Sequence, residues 1–483
     1  MLAEGFKYRG LIEYFERVSA IPRPSFHEER IAEYICNFAR ERGYFCLCDD
    51  HNNVFVRMPA SEGRESEDAI LLQGHTDMVC EKNADVEHDF MTEGIELYER
   101  EGYIRARGTT LGADNGTAVA MMLYILDGAE GYLKSHPTIE CLFTSSEEKG
   151  LVGAGAFDYS VVSATRMINM DSADESEIII GCAGAQHSEL ILDATVEEIE
   201  GNAFKVGVRG LYGGHSGEDI HKSRANANKL LGRVLEAIRN ACNIRLSSAF
   251  GGNKDNAIPR ESASVIVCDD PNALKELLNK LSVKIGGEMS EDDRSLELYC
   301  ESLPLEKRTV FSKKDSDNII SFLASVPNGV FKMCDGLDSL VEFSRNLGIV
   351  EADAKNAKAT FAFMSRSPKE SQIEESNAEL SVYAERYGMR HERLNSYSGW
   401  DGSPDSPLCK LYASCYKELF GKECTVNVLH AGLECGIIKH LCPQLDIISS
   451  GAIVLDLHSP DEALNIASFE RFFSVIILVL TNC

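Results

Sequence analysis

The first third of the chain alternates between helical and strand-like apolar patterns, and this alternation is the feature that most limits the fold. Apolar residues recur at helical spacing over 31–41 and 117–126. Short apolar runs lie between and after them, at 70–72, 140–143 and 166–170. Strands that alternate with helices are typical of a layered α/β domain, so the sequence predicts a buried, largely parallel sheet.

The pattern changes in the middle of the chain and returns near its end. Over 186–392, longer alternating strands such as 204–208 mix with helices such as 225–241, as expected of an α+β domain. From residue 393 onward, a helical pattern and short apolar runs follow the style of the first third. Because 483 residues also exceed one ordinary core, the sequence predicts a discontinuous domain, 1–185 and 393–483, that carries a separate inserted domain.

The charge of the chain argues against several classes of partner. A formal net charge of −28 repels phosphate backbones and anionic lipid surfaces, so we expect no nucleic acid and no membrane partner. No apolar signal segment opens the chain, and the apolar stretch 475–480 is far shorter than the roughly 20 residues that cross a bilayer. The 16 cysteines are scattered without a CxxC pair, which is typical of reduced core residues. We therefore expect a cytoplasmic protein whose apolar tail forms a buried helix.

One histidine and one aspartate follow the first apolar strand pattern. In the run LLQGHTDMV, His75 and Asp77 are two residues apart, so on an extended backbone their side chains share one face. Asp77 can then hold the imidazole of His75, as carboxylates do for metal-binding histidines. A strand-end histidine with a polar neighbour explains the same residues, and both interpretations stay open at this point.

An aspartate and a pair of glutamates occupy positions that suit either a metal ligand or a residue at the start of a helix. Asp114, in LGADNG, occupies a glycine-bearing loop directly before a helical run, where it suits a helix N-cap or a bridging carboxylate. Glu147 and Glu148 end the pattern IECLFTSSEE, where they suit the acidic first turn of a helix or a ligand beside a water-facing neighbour. Asp171 either ends a strand or binds metal, and His458, in LDLHSPDE, is either a core histidine or a ligand.

The recurrence of these residues favours a metal site. His75, the glutamate pair, Asp171 and His458 all follow apolar strand-like runs, and open α/β sheets place their sites at that edge. Two imidazoles and three carboxylates suit zinc, manganese or cobalt. The excess of oxygen ligands suits two divalent cations that share Asp114, and such pairs lie roughly 3.5–4 Å apart. The sequence therefore predicts a two-metal centre.

Nine short motifs, spread over nearly the whole chain, resemble one family. In order they are HTDMV, LGADNG, SSEE, NMDS, GGHSGEDIH, NAIPRE, SGW, HAGLECG and HSPDE. The series closely resembles the bacterial aminoacyl-histidine dipeptidases, which belong to the metallopeptidase superfamily that also contains aminoacylase and glutamate carboxypeptidase. The resemblance implies an α/β catalytic domain with a mixed central sheet, an inserted α+β lid domain and a homodimer.

The resemblance also implies a role for each residue of the predicted centre. Two zinc ions would be bound by His75, Asp114, Glu148, Asp171 and His458. The bridging ligand would be Asp114, and Asp77 would orient His75. Glu147 would be the general base, which takes a proton from water and later passes it to the leaving amine.

In the inserted domain, the resemblance implies three groups that contact the substrate. His215 would stabilise the oxyanion of the scissile carbonyl, often from across a dimer interface. Asn256 and Arg366 would bind the carboxylate of the substrate. A purely local role is the alternative for His215, and a surface charge is the alternative for Arg366. No role follows for the remaining motif residues, His430, Glu434 and Trp400.

The predicted reaction is the metal-dependent hydrolysis of unblocked dipeptides, with Xaa-His dipeptides as the expected substrates. Two alternatives keep the same site: an N-acyl amino acid deacylase and a tripeptide aminopeptidase. A third alternative is of another class, a non-catalytic protein that binds peptides in a metal-dependent way. The intact Glu147 speaks against this last alternative, because binding alone needs no general base.

Overall fold

The computed structural model describes residues 6–334 and 340–483, and the contacts divide the chain into two units. The first unit consists of the chain up to Cys182 together with the segments Trp400–Val428 and Leu433–Cys483. The second unit consists of Ala183–Gly399 and Leu429–Gly432. It therefore extends past the predicted boundary at residue 392 and takes in the start of the HAGLECG motif. The lid role of this unit stays a prediction.

The first unit is built on a mixed sheet that has nine strands among the described residues. Four neighbouring central strands run parallel: Ile139–Thr144, Ile70–His75, Arg166–Asn169 and Asp446–Ser449. The remaining strands are Phe45–Cys48, Val54–Met58, Glu177–Cys182, Trp400–Asp401 and Thr425–Leu429. The mixed sheet is confirmed, whereas the largely parallel sheet predicted from the alternation is wrong outside the four central strands. The connection from Cys48 to Val54, for example, is too short for the crossover that a parallel pair needs.

The helices of the first unit include the predicted segments 31–41 and 117–126 and one that matches the helical pattern after residue 393. They are Arg9–Ser19, Glu29–Glu41, Ala113–Leu126, Val152–Ala156, Pro407–Phe420, Glu434–Leu441 and Ile466–Asn482. The helix Ala113–Leu126 is apolar on all sides and almost every residue of it is buried, so it lies inside the core. The predicted tail helix is also confirmed: Asn465 caps its first turn by accepting the N–H of Ser468, and its apolar face packs into the same core.

A smaller sheet of the first unit brings a C-terminal segment next to the first third of the chain. Its order is Val454–Leu455, Ala463–Asn465, Tyr103–Ala106 and Leu97–Arg100, with antiparallel pairing throughout. The turn between the first two of these strands carries His458. The pairing therefore fixes this turn in the same unit as the other predicted ligands.

The second unit has its own antiparallel sheet and its own apolar core. Among the described residues, the nine strands of this sheet are Gly184–Asp193, Ala203–Arg209, Ile244–Gly251, Ser262–Cys268, Glu297–Ser302, Gly329–Met333, Val341–Asp353, Lys358–Ser367 and Arg390–Tyr397. Its long helices are Ala227–Ala241, Pro271–Gly286, Lys313–Ser325 and Glu370–Tyr387. Two short ribbons pair Val196–Glu200 with Lys307–Phe311 and Gly214–His215 with Ala257–Ile258. This is the predicted α+β arrangement.

The apolar segments and the cysteines contribute mainly to the cores. Among the described residues, no helix combines the length and the apolar character that crossing a bilayer requires. All 16 cysteines lie in the described part of the chain, and most of them are buried.

Candidate metal centre

Three neighbouring parallel strands end at the same edge of the central sheet and place acidic and imidazole side chains there. His75 is the last residue of one strand. Glu147 and Glu148 begin a short 3₁₀ turn just after the next strand, and Asp171 follows the third strand by two residues. Because the carboxyl ends of parallel strands meet at one edge, these side chains converge as the sequence predicts.

Asp114 reaches the centre from the start of a helix. Gly112 precedes this helix in a left-handed conformation (φ 66°), and Asp114 itself has non-helical angles (φ −81°, ψ 107°). An N-cap side chain accepts an N–H group of the first helical turn, but among the described residues the carboxylate of Asp114 is hydrogen-bonded to His75 and His458 instead, so the N-cap alternative for Asp114 is not supported. The side chain of Asp114 therefore faces the candidate metal ligands and does not cap the helix.

His458 reaches the centre from outside the central sheet. It lies in the turn between Val454–Leu455 and Ala463–Asn465 of the smaller sheet, with a left-handed backbone (φ 59°) that is uncommon for a histidine. The expected position of His458 at the edge of the main sheet is therefore wrong, because the apolar run before it pairs elsewhere. Its place beside the other candidate ligands is nevertheless as predicted.

The two carboxylate oxygens of Asp114 face different imidazoles. Oδ1 lies 3.0 Å from Nε2 of His75, and Oδ2 lies 3.2 Å from Nε2 of His458. The His75 nitrogen is also 3.6 Å from Oδ1 of Asp171, and the His458 nitrogen is 3.0 Å from Oε1 of Glu148. Two groups of candidate ligands therefore share Asp114, and the ligand atoms of each group lie within 4.8 Å of one another.

The donor set of these groups fits divalent cations. Oε1 of Glu148 is buried and has no hydrogen-bond partner among the described residues, because its approach to His458 has the distance but not the geometry of a hydrogen bond. A buried carboxylate oxygen in this position costs free energy unless a cation or a donor satisfies it. Zinc binds imidazole and carboxylate at about 2.0–2.2 Å, which suits one ion inside each group.

The centre crowds acidic groups into a buried site. Burial raises the pKa of Asp171 to about 6 and raises the pKa of Glu147 well above its usual value. Burial acts in the same direction on Asp114, but hydrogen bonds with His458 and His75 outweigh it and lower the pKa of that carboxyl. The hydrogen bond with Asp114 and the close approach of the Glu148 carboxylate raise the pKa of His458 to about 10. Bound divalent cations would balance the negative charge of these carboxylates.

Asp77 supports two ligand-bearing segments at once. It is fully buried, and its Oδ1 lies 3.2 Å from Nδ1 of His75, on the edge of the ring that faces away from Asp114. The carboxylate also accepts the backbone N–H groups of Glu147 (3.0 Å) and Glu148 (3.2 Å). The structure thus adds contacts with the glutamate turn to the contact with His75 that the sequence predicts.

Glu434 belongs to a group of buried polar side chains next to the centre. Its Oε2 accepts hydrogen bonds from Gln73 (2.6 Å) and from Thr144 (2.8 Å), and Gln73 in turn accepts one from Asn169 (2.7 Å). Burial raises the pKa of Glu434 to about 7. All three partners stand on the parallel strands that end at the centre, so Glu434 helps to order that edge of the sheet.

The three candidate lid residues lie in one region of the second unit. His215 belongs to a short ribbon, and the N–H of Ser216 donates to the carbonyl oxygen of Asn256 (2.8 Å). Arg366 donates to the hydroxyl of Tyr397 (2.9 Å) and lies 3.5 Å from the hydroxyl of Ser216. Arg366 is only 3% exposed, so the alternative of a surface charge is wrong.

His430 and Trp400, whose roles the sequence leaves open, are both buried. Nε2 of His430 lies 2.7 Å from the hydroxyl of Ser344, and burial together with the positive charge of Arg366 lowers its pKa to about 3. Trp400 lies in an edge strand of the central sheet, paired with Cys182. Packing accounts for Trp400 without any further role.

Two buried charged residues are not indicated by the sequence patterns. Arg23 and Glu462 are 1% and 2% exposed, and each binds the backbone of ligand-bearing loops. Glu462 stands in the HSPDE motif four residues after His458, which is the signal that could have pointed to it. Arg23, in IPRPS, carries no such signal.

A layered α/β fold with two groups of metal-ligand side chains at one edge of its sheet is the arrangement of a metal-dependent hydrolase. The chain belongs to the peptidase family M20/M25/M40, whose profile matches residues 71–482. It is therefore a peptide-bond hydrolase by family. The third alternative from the sequence, a non-catalytic peptide-binding protein, loses its support.

Similar proteins are found among both sequences and structures. The chain is 36% identical over 470 residues to the cytosol non-specific dipeptidase of Escherichia coli (strain K12), which covers 96% of each chain. It is 34% identical to the crystal structure of aminoacylhistidine dipeptidase from Vibrio alginolyticus, with a TM-score of 0.90 over 99% of this chain and 98% of that one. An aminopeptidase structure from Bacillus cereus ATCC 10987, 15% identical with a TM-score of 0.57 over 98% of each chain, shares the fold. The resemblance drawn from the nine motifs is confirmed.

Proposed function

We propose that this protein is a metal-dependent dipeptidase that hydrolyses unblocked dipeptides, with Xaa-His dipeptides among its substrates. The observation that carries the proposal is the carboxylate of Asp114, because each of its oxygens faces a different imidazole and so joins two groups of ligands. The names of the two similar proteins, a non-specific dipeptidase and an aminoacylhistidine dipeptidase, support the substrate class.

Two divalent cations are the proposed cofactors, with zinc as the expected metal and manganese or cobalt as alternatives. One ion would be held by His75, Asp114 and Asp171, and the other by Asp114, Glu148 and His458. Bound there, the ions would polarise the peptide carbonyl and lower the pKa of a water molecule. The remaining work of the reaction belongs to protein side chains.

Glu147 is the proposed general base. Its carboxylate forms a third close group with His75 and Glu148, so it lies at the centre without being needed to hold either ion. Burial raises the pKa of Glu147, which makes it a better proton acceptor than an exposed glutamate. Glu147 takes a proton from the attacking water and passes it to the leaving amine, while Asp77 keeps the ring of His75 and the glutamate turn in place.

The second unit is proposed to supply the groups that bind the substrate. His215 would donate a hydrogen bond to the oxyanion, and Asn256 and Arg366 would bind the C-terminal carboxylate. Their common region within the unit supports this assignment, and the planar guanidinium of Arg366 suits a carboxylate. Burial and the charge of Arg366 lower the pKa of His215, and a neutral imidazole still donates one N–H.

The proposed setting is the cytoplasm, where the protein would act as a homodimer on small peptides. The similar protein named for the cytosol supports the location. The net charge of −28 supports the expectation that neither nucleic acid nor membrane is a partner.

A comparison of four peptide substrates tests the function. We expect the purified protein to hydrolyse a free Xaa-His dipeptide, to lose this activity on chelation with EDTA and to regain it with zinc. The N-acetylated dipeptide and a tripeptide should be hydrolysed far more slowly, and so should the dipeptide amide, because it lacks the carboxylate. Faster hydrolysis of the N-acetylated dipeptide would indicate a deacylase, and faster hydrolysis of the tripeptide would indicate an aminopeptidase. Hydrolysis that survives complete metal removal would contradict the mechanism.

A further inference from the structure

We infer that Glu462 and Arg23 are positioning residues of the metal centre, which tie three ligand-bearing loops to one another before any metal binds. The inference rests on the proposed two-metal site. It concerns two side chains whose recorded hydrogen bonds go to the backbone of the ligand loops.

The carboxylate of Glu462 receives the backbone N–H groups of four successive residues. The donors and distances are Leu111 (2.7 Å) and Gly112 (3.0 Å) to Oε2, and Ala113 (2.8 Å) and Asp114 (3.3 Å) to Oε1. Converging N–H groups at the start of a helix form a site for an anion, and here a side chain of the same chain fills it. Since Glu462 ends the turn that carries His458, this contact joins that turn to the loop of Asp114.

Arg23 joins the same loop to the strand of the first ligand. Nη1 donates to the carbonyl oxygens of Thr76 (3.0 Å) and Asp77 (3.1 Å), and Nη2 donates to the carbonyl oxygen of Gly112 (2.5 Å). Thr76 and Asp77 directly follow His75. Glu462 therefore binds the N–H side of the Gly112 loop and Arg23 binds its carbonyl side.

The opposite charges of the two side chains explain why both tolerate burial. Burial lowers the pKa of Arg23, and the negative charges of Glu462 and Asp77 act against this shift. A buried charge costs several kcal/mol unless other groups compensate it. Here backbone groups hydrogen-bond both side chains and each lies in the field of the opposite charge, although Nε of Arg23 has no hydrogen-bond partner among the described residues. Gly112 makes the close approach possible, because a Cβ at this position would lie 2.6 Å from Nη2 of Arg23. Arg23, Glu462 and the Gly112 loop are thus closely packed against one another.

The arrangement bears on metal binding because Asp114 must present one oxygen to each of two imidazoles. A glutamine at position 462 would turn an NH₂ group toward backbone N–H groups and leave part of this loop without acceptors. Loss of a residue that orients metal ligands weakens metal binding by about 10–100-fold in other proteins. We therefore expect zinc affinity, rather than the chemistry at Glu147, to respond to Glu462.

The test measures zinc affinity of the full chain by competition with a chromophoric chelator. The variant is Glu462→Gln, and the matched control is Glu140→Gln. Glu140 is also fully buried, accepts the backbone N–H groups of Ser163 and Ala164 and pairs with Arg57, but it stands near the opposite end of its strand. We expect zinc to bind at least tenfold more weakly to Glu462→Gln and with unchanged affinity to Glu140→Gln. The zinc concentration that gives half of the maximal activity should shift by the same factor.

Two outcomes would overturn the inference: unchanged zinc affinity in Glu462→Gln, or an equal loss in both variants, which would indicate general destabilisation. Circular dichroism of the zinc-free proteins shows whether each variant folds. If Glu462→Gln does not fold, Arg23→Lys replaces it as the test variant, because lysine keeps the charge but cannot reach both loops. Unchanged zinc affinity in Arg23→Lys would equally overturn the inference. An unaltered protein that binds two zinc ions yet hydrolyses no dipeptide would contradict the proposed function alone.

Discussion

At the scale of single residues, contacts separate the acids that hold the proposed ions from the acid that moves a proton. Asp114 is hydrogen-bonded by two imidazoles, which hold its pKa low, and it stays an anion ready to bind cations. Glu147 has no such imidazole on its carboxylate among the described residues, and burial raises its pKa. Two neighbouring acids in different surroundings are therefore prepared for different tasks.

The substitution Glu147→Gln tests this division. The amide cannot accept the proton of the attacking water, so we expect kcat for a free dipeptide to fall by about 10²–10⁴-fold. Zinc content, measured by mass spectrometry of the metals, should stay the same as in the unaltered protein. Asp114→Asn is the companion variant and should lose zinc as well as activity. A Glu147→Gln protein that turns over dipeptides at the original rate would remove Glu147 from the mechanism.

The residues of the centre differ in how far the sequence reveals them. His75, Asp77 and Glu147 stand just after apolar strand patterns, and the topology of parallel strands brings such positions together. Arg23 and Glu462 act through backbone groups of loops that are distant in sequence. Composition and periodicity describe local surroundings only, so they do not reveal a buried charge with distant partners, and for Glu462 only the HSPDE motif gives a signal.

At the scale of elements, the strand that carries His75 packs very closely against the helix Ala113–Leu126. Gly74 makes this possible: a Cβ there would lie 2.4 Å from Oδ1 of Asn115 and 2.5 Å from Cβ of Ala118. Both the strand and the helix are fully buried at this contact. The spacing between His75 and Asp114 therefore depends on a residue without a side chain.

Gly74→Ala is expected to destabilise the zinc-free protein by about 1–3 kcal/mol, because the added methyl group overpacks a core contact. The measurement is chemical unfolding followed by circular dichroism. Gly155→Ala is the matched control, since a Cβ at Gly155 meets no atom within 4 Å and the position is helical. That variant should be as stable as the unaltered protein. Equal stability of the two variants would show that the contact at Gly74 is looser than described.

Some long elements are predicted closely from the sequence, whereas the helix Glu370–Tyr387 and the short strands are not. The strand Ala203–Arg209 extends the predicted range 204–208 by one residue at each end, and the helix Ala227–Ala241 begins two residues after the predicted start and ends at the predicted residue. The strands Val454–Leu455 and Ala463–Asn465 are too short to show any alternation, although they decide where His458 lies. The antiparallel edges of the central sheet also follow from short connections rather than from the apolar pattern.

At the scale of the whole molecule, each unit has its own core, and the predicted assembly is a homodimer. The resemblance implies that His215 acts across the interface of such a dimer. Light scattering should therefore give twice the 53.2 kDa of one chain. Mixing inactive His215→Ala and Glu147→Gln proteins and allowing subunits to exchange should restore activity, because a hybrid dimer has one site with both residues intact. A monomeric mass, or exchanged subunits without activity, would contradict the shared site.

The most direct test of the two-metal centre is anomalous diffraction at the zinc edge from crystals of the zinc-loaded protein. A two-metal centre predicts two peaks roughly 3.5–4 Å apart, with one oxygen of Asp114 bound to each ion. His75 and Asp171 should bind one of the ions, and Glu148 and His458 should bind the other. A single peak, or two peaks of which Asp114 touches only one, would contradict it.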